Sequence, residues 1–204
     1  MTRLVVCAAL SLEVWAVGSR GDAATGFDVL RTGMGPRRAR AALGRLPVFD
    51  ALAVVGFGGS LVPGPRPGDL LVATEVRMGG RSLPCRGADA LAALLRDAGL
   101  TVHRGPLLTT DHLVTGPERR TLSAYGATAV DMESGVLAEA AGDRPFAAVR
   151  AIVDTPDRPL SRPATVPGGL RALRGLRACG PALRRWPARL DAGLPSDRPK
   201  EVRP

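Results

Sequence analysis

Ala51-Leu52-Ala53-Val54-Val55, followed at once by Gly56-Phe57-Gly58-Gly59-Ser60, is the stretch on which the architecture of this chain turns. A short, unbroken apolar run closed by glycine is the pattern of a strand buried on both faces, and such strands belong to sheets covered by helices. The glycine-rich part reads as a turn at the strand's end. There a backbone without side chains can approach a ligand closely, or offer N–H groups to an anion or a sugar oxygen. It matches neither the full dinucleotide nor the P-loop pattern, so a plain tight turn is the alternative.

Outward from that run, apolar segments bounded by Gly or Pro alternate with Ala/Leu/Arg segments of helical spacing, the mark of an α/β layer fold. Strands are expected over residues 3–9, 51–55, 69–76, 106–110, 127–132 and 146–153. Pro36 suits the first position of a helix over residues 37–46, because its missing N–H is harmless there. Residues 88–98 form a second helix that stops before Gly99, and residues 134–141 a third. After Thr155 come prolines at 156, 159, 163 and 167, then Leu170, Leu173 and Leu176 interleaved with arginines. That spacing predicts an amphipathic helix over 168–190 that Pro181 breaks or restarts. Residues 191–204 are too polar and proline-rich to order. The chain is read as one domain over 1–190 followed by this tail.

Hydrophobic residues at 45% and charged residues at 23% suit a folded globular protein. Basicity belongs to the end of the chain: residues 155–204 hold 11 basic and 4 acidic side chains of the whole chain's 28 and 19. Charge alone does not make a nucleic-acid binder, and with 3% aromatics and no recognisable module none is expected. Cys7, Cys85 and Cys179 are too scattered for a zinc or redox spacing, so buried, reduced thiols are expected and no metal. Arg3 and the apolar residues 4–10 imitate a secretory signal until Glu13 interrupts them; a buried first strand and a cytoplasmic protein are the expectation.

Four features fall where expected strands end, the edge at which α/β sheets bind ligands. Glu13 follows the first strand; alone it reads as a solvated carboxylate. The turns Thr32-Gly33-Met34-Gly35 and residues 56–60 form the second feature. Val130-Asp131-Met132-Glu133-Ser134 carries two carboxylates where a strand passes into a helix, a place that acidic residues also favour for capping alone. Val149-Arg150-Ala151-Ile152-Val153-Asp154 ends an apolar strand on a carboxylate, which a turn cap would equally explain.

Taken together these residues resemble the nucleoside phosphorylase superfamily, in particular its methylthioadenosine/S-adenosylhomocysteine nucleosidase branch, over most of residues 3–157. Thr110-Asp111-His112-Leu113-Val114, Ala129-Val130-Asp131-Met132-Glu133-Ser134 and Asp154-Thr155-Pro156-Asp157-Arg158-Pro159-Leu160 are closer still to the hopanoid-associated phosphorylases. The resemblance implies a single-domain three-layer α/β/α sandwich with a central twisted mixed β-sheet, and an enzyme that releases adenine from a nucleoside, adenosylhopane above all. It implies Glu13 and Asp154 as catalytic residues. It implies Gly58, Gly59, Leu113, Val114, Met132 and Glu133 on the substrate, and Gly33 and Gly35 near phosphate or water. No cofactor is implied; inorganic phosphate is the one candidate co-substrate, and a homo-oligomer is expected.

The chemistry gives these residues a reason to occur together, since departure of adenine leaves an oxocarbenium-like ribose. Asp154, protonated or proton-sharing, would donate to the purine N7; Glu133 would hold the ribose hydroxyls, Met132 would wall the sugar, and Glu13 would deprotonate water. Three positions depart from the family pattern: Leu113 stands for an aromatic ring, Val153 for a Ser or Thr, and Val54-Val55 where phosphorylases carry a phosphate-binding arginine. The last favours hydrolysis, with Arg37, Arg38 or Arg77 as alternative phosphate contacts. A methylthioadenosine or S-adenosylhomocysteine nucleosidase is the alternative enzyme. A noncatalytic nucleoside-binding protein docked on the inner face of the cell membrane through its basic C-terminal segment is the alternative of another class.

Overall fold

The computed structural model describes residues 2–18, 26–157 and 165–193. Its elements run β1 (Leu4–Ala8), α1 (Ser11–Val17), β2 (Asp28–Arg31), α2 (Pro36–Ala42), β3 (Ala51–Ser60), β4 (Leu70–Met78), β5 (Arg81–Pro84), α3 (Ala88–Asp97), β6 (Val102–Thr109), α4 (Glu118–Ala124), β7 (Ala129–Asp131), α5 (Ser134–Ala141), β8 (Phe146–Asp154) and α6 (Thr165–Gly193). Every strand expected from the sequence is present, and the helix after Glu133 has the bounds its pattern predicts. β2, β5, α1 and α4 carry patterns too short to have been separated from loop.

One mixed sheet of eight strands organises the chain, in the order β2-β1-β3-β7-β6-β4-β5, with β8 pairing both β3 and β4. β3 is its spine. Along one edge it pairs in parallel with β1 through Ala51–Val54 and then, antiparallel, with β7 at Gly59 and Ser60. Along the other it follows β8 from Leu52 to Gly59. Since β8 also pairs antiparallel with β4, the strands β3, β7, β6, β4 and β8 close into a ring. The glycine-rich segment 56–60 is therefore strand, not the turn its composition suggests. It bonds to neighbours on both edges, and those bonds outweigh the weak strand preference of glycine.

The strands bury themselves as continuous apolar runs: all five residues of β1 and nearly all of β3 and β8 are buried. Helices α1, α3 and α6 contribute Val17, Leu91, Leu95, Leu176, Leu183 and Trp186 to the same core. α6 continues through Pro181 and Pro187 without a break. Pro181 lies on the exposed face, where a carbonyl that loses its N–H partner can be hydrated, so the helix does not need to end. Helix α6 also extends to Gly193, past residue 190, where the expected domain ends and the tail begins at 191; residues 194–204 lie outside the described residues, as do 158–164 of the proline-rich connection.

The apolar stripe of α6 packs inward, which is the ordinary use of an amphipathic helix and leaves Leu170 as its exposed large apolar residue. No helix among the described residues is long and apolar enough to cross a membrane. Cys7, Cys85 and Cys179 are free and buried, and burial pushes each thiol up to about 12.

Trp186 anchors α6: its ring is fully buried and its Nε1 donates to the Gly87 carbonyl at 2.9 Å. Trp186→Ala is expected to lower unfolding stability by about 3–5 kcal/mol, from the cavity together with the unpaired carbonyl. Urea denaturation measures this; a loss below about 1 kcal/mol would mean that α6 is not part of the core.

Candidate active site

A cavity of about 160 Å³ opens at the ends of β1, β3, β7 and β8. It brings together Glu13, Gly58, Gly59, Leu113, Val114, Met132, Glu133 and Asp154, all expected there from the sequence, with Asp131 and Arg119. Gly33 and Gly35 are not among its lining residues, but Met34 between them is. None of Arg37, Arg38 and Arg77 lines it.

Glu13 is 2% exposed, not the solvated carboxylate it resembles in isolation. It occupies the first turn of α1, where its Oε2 accepts the N–H groups of Ala9 (2.9 Å) and Leu10 (2.8 Å). Its Oε1 accepts Phe57 N–H at 2.7 Å, across from β3. Three of roughly four acceptor sites on the carboxylate are thus taken by backbone, leaving room for a donor such as water on its cavity side. The residue caps a helix and lines the cavity at once.

Glu133 is buried at the entry to α5, and its Oε1 accepts Gly35 N–H at 2.7 Å. That bond is the use of the first glycine turn: Gly35 has φ +91°, and its amide is aimed at Glu133. Burial raises the Glu133 carboxyl above its ordinary value; Arg150 lowers it, Asp131 raises it, the Gly35 N–H lowers it and Glu13 raises it. Asp131 braces the junction: Oδ1 accepts the Thr109 hydroxyl at 2.6 Å, and Oδ2 accepts Ser134 N–H at 3.0 Å.

The cation at the centre is Arg150, 1% exposed in the middle of β8. Its Nη2 is paired with Asp131 Oδ2, lies 3.8 Å from Glu133 Oε2, and donates to Ser134 Oγ at 2.9 Å. Burial works against its charge, and the carboxylates of Asp131, Glu133 and Glu13 outweigh burial and hold it above its ordinary value. β3 makes room for it: a Cβ at Gly56 would lie 2.4 Å from Arg150 Nη1 and 2.8 Å from Glu13 Oε1, and one at Gly58 2.9 Å from Arg150 Cβ. The glycines alternate because residues two apart share a strand face. An arginine among Ala147, Ala148, Val149, Ala151 and Ile152 was a readable signal, because Arg is rarely buried unless paired.

Asp154, 2% exposed, ends β8 and is paired with Arg119 of α4, itself 4% exposed. The contact sets a buried cation against the carboxyl group expected to act as the acid. Nothing in Pro117-Glu118-Arg119-Arg120 marks Arg119 as buried; only the fold does. Beside it His112 bonds Asp111 (2.7 Å) and Glu118 (2.8 Å), and these two carboxylates, Asp111 foremost, raise the imidazole while His112 lowers Asp111. Leu10, Met34 and Leu113 form an apolar rim, 38%, 52% and 61% exposed.

The arrangement can hold a neutral, hydroxyl-bearing ligand against Glu133 between a carboxylate poised for water and a second carboxylate on a cation. The phosphorylase superfamily model matches residues 20–168. Among solved structures, the 5'-methylthioadenosine/S-adenosylhomocysteine nucleosidase of Neisseria meningitidis, in complex with methylthio-immucillin-A, superposes with a TM-score of 0.73 at 18% identity, covering 90% of this chain and 98% of that one. The S-adenosylhomocysteine nucleosidase of Streptococcus pyogenes, in complex with 5-methylthiotubericidin, gives 0.71 at 17%, covering 93% and 97%. Futalosine hydrolase of Helicobacter pylori gives 0.70 at 15%, covering 92% and 98%. No curated protein matches the chain in sequence.

Two outcomes test the electrostatics. A carboxyl raised in the folded state favours folding below its unfolded value of 4.5, and that contribution is lost as pH rises through the raised folded value. Stability should therefore fall from pH 4.5 upward by a component that Glu133→Gln abolishes; an unchanged slope in thermal unfolding would contradict it. Arg150→Met, which leaves three carboxylates without their cation, should cost about 3–5 kcal/mol by urea denaturation at pH 7.

Proposed function

The chain belongs to the phosphorylase superfamily, and from that premise we propose that its cavity cleaves the N-glycosidic bond of an adenine nucleoside and releases adenine. The observation that carries this reading is the juxtaposition of buried Glu13, Glu133 and Asp154 in one cavity, with Glu133 fixed by Gly35 N–H. As the bond breaks, positive charge grows on the ribose and negative charge on the base. Glu133 accepts hydrogen bonds from the ribose 2'- and 3'-hydroxyls and sets negative charge beside the developing cation. Met132 walls the sugar. Asp154 delivers a proton to the purine N7, and Gly58, Gly59, Leu113 and Val114 border the base. Glu13 orients water and takes its proton.

Hydrolysis is favoured over phosphorolysis because the charges that line the cavity are mostly carboxylates; the one guanidinium among its described lining residues, Arg119, is engaged by Asp154. No cofactor enters the reaction, and inorganic phosphate remains the one candidate co-substrate. The apolar rim of Leu10, Met34 and Leu113 supports a nucleoside with an apolar 5' group. Adenosylhopane is the substrate proposed. The shared fold with enzymes solved with methylthio analogues supports methylthioadenosine or S-adenosylhomocysteine as the alternative. A homo-oligomer in the cytoplasm, with its basic C-terminal segment against the inner face of the membrane, is the corresponding setting.

The test is a product assay on adenosylhopane and on methylthioadenosine, each with and without phosphate. Adenine and a free ribose end are expected, with adenosylhopane the better substrate. Glu133→Gln and Asp154→Asn should each lower kcat/KM by about 100-fold or more with the circular dichroism spectrum unchanged. No adenine from either substrate under either condition would overturn the reading; ribose phosphate as product would replace hydrolysis by phosphorolysis.

A further inference from the structure

Arg119 is a buried, charged cavity residue to which the reaction above gives no task. It lies in the first turn of α4, and its Nη2 is paired with Asp154 Oδ2. Nη1 donates to the Ser60 carbonyl at 2.9 Å, and Nη2 reaches the Val114 carbonyl at 3.4 Å. Backbone oxygens at the end of β3 and in the loop before α4 thus hold the guanidinium against the carboxylate. Gly59 closes over the pair: a Cβ there would lie 2.7 Å from Asp154 Oδ1 and 3.1 Å from Arg119 Nη2. Among the described residues, the other charged groups that line the cavity have these partners. Glu13, Asp131 and Glu133 gather around Arg150, and His112 bonds Asp111 and Glu118.

A carboxylate gripped by a guanidinium accepts hydrogen bonds and has no proton to give. The purine nonetheless needs one at N7, or the electron pair of the broken C–N bond leaves as a bare anion. Resting on the adenine-releasing reading, we propose that Arg119 is a positioning residue that keeps Asp154 as a carboxylate in the free enzyme, so that protonation of Asp154 is the step through which pH controls turnover. In that step Asp154 takes a proton from solvent and passes it to N7, while the C–N bonding pair departs with the base. Water adds to the ribose C1' and yields its proton to Glu13. Asp154, again a carboxylate, re-pairs with Arg119, and Glu13 returns its proton to solvent.

The experiment follows the Asp154 side-chain carboxyl by ¹³C NMR titration in the free wild-type protein, Arg119→Gln and Arg119→Lys, with Asp154→Asn to assign the resonance. In parallel, kcat/KM for adenine release is measured against pH. The Gln variant should shift the Asp154 midpoint up by about one pH unit or more and carry the alkaline limb of kcat/KM up by the same interval. The Lys variant, which keeps the charge, should stay near wild type in both. Arg119→Met serves as the neutral variant should Arg119→Gln fail to fold. Equal midpoints in wild type and the neutral variant overturn the proposal; so does loss of activity at every pH in a folded neutral variant, which would place Arg119 on the substrate itself. The titration needs no substrate, so a wild-type protein that releases no adenine defeats the proposed function while leaving the role of Arg119 to the NMR result.

Discussion

A single buried guanidinium makes this cavity possible. Glu13 beyond the end of β1 meets Asp131 and Glu133 at the end of β7, and three carboxylates out of water repel one another and favour protonation. Arg150, in the middle of β8, meets that accumulation from below. Its placement in turn dictates the composition of β3, whose Gly56 and Gly58 leave the space that the arginine and Glu13 fill. The glycine-rich character of that strand is therefore a consequence of an electrostatic requirement on its neighbour.

From that hub the cavity divides into two regimes. Around Glu13 and Glu133, carboxylates are balanced by Arg150 and by backbone N–H groups from Gly35, Phe57, Ala9 and Leu10, donors that belong to the frame. Such preorganised donors do not have to rearrange when charge develops in the reaction. At the end of β8, Asp154 meets a separate cation, Arg119, carried by a short helix that follows the cavity loop. Two arginines on different elements thus partition four carboxylates, and each can be altered without removing the other's partner.

Much of the fold was legible because its signals are local. The apolar runs of β1, β3 and β8, and the helices after Pro36, Gly87 and Glu133, follow from the residues in their own windows. The misreadings share a physical cause. Gly56–Ser60 has the composition of a turn but the neighbours of a central strand, and Pro181 has the chemistry of a helix breaker but an exposed position that tolerates it. In both, tertiary pairing or solvent access overrode a local preference.

The amino-acid sequence by itself determined the α/β architecture and the residues that end the strands: Glu13, the Asp131-Met132-Glu133 junction and Asp154 can be named from periodicity and from resemblance. Only the tertiary structure decided which charges face one another. Arg150 lies 17 residues from Glu133, and Arg119 lies 35 residues from Asp154. No spacing rule connects them, because they meet across strands whose pairing depends on the whole sheet. Ion pairing acts through space over a few ångströms, and the chain reveals those distances only after it has folded.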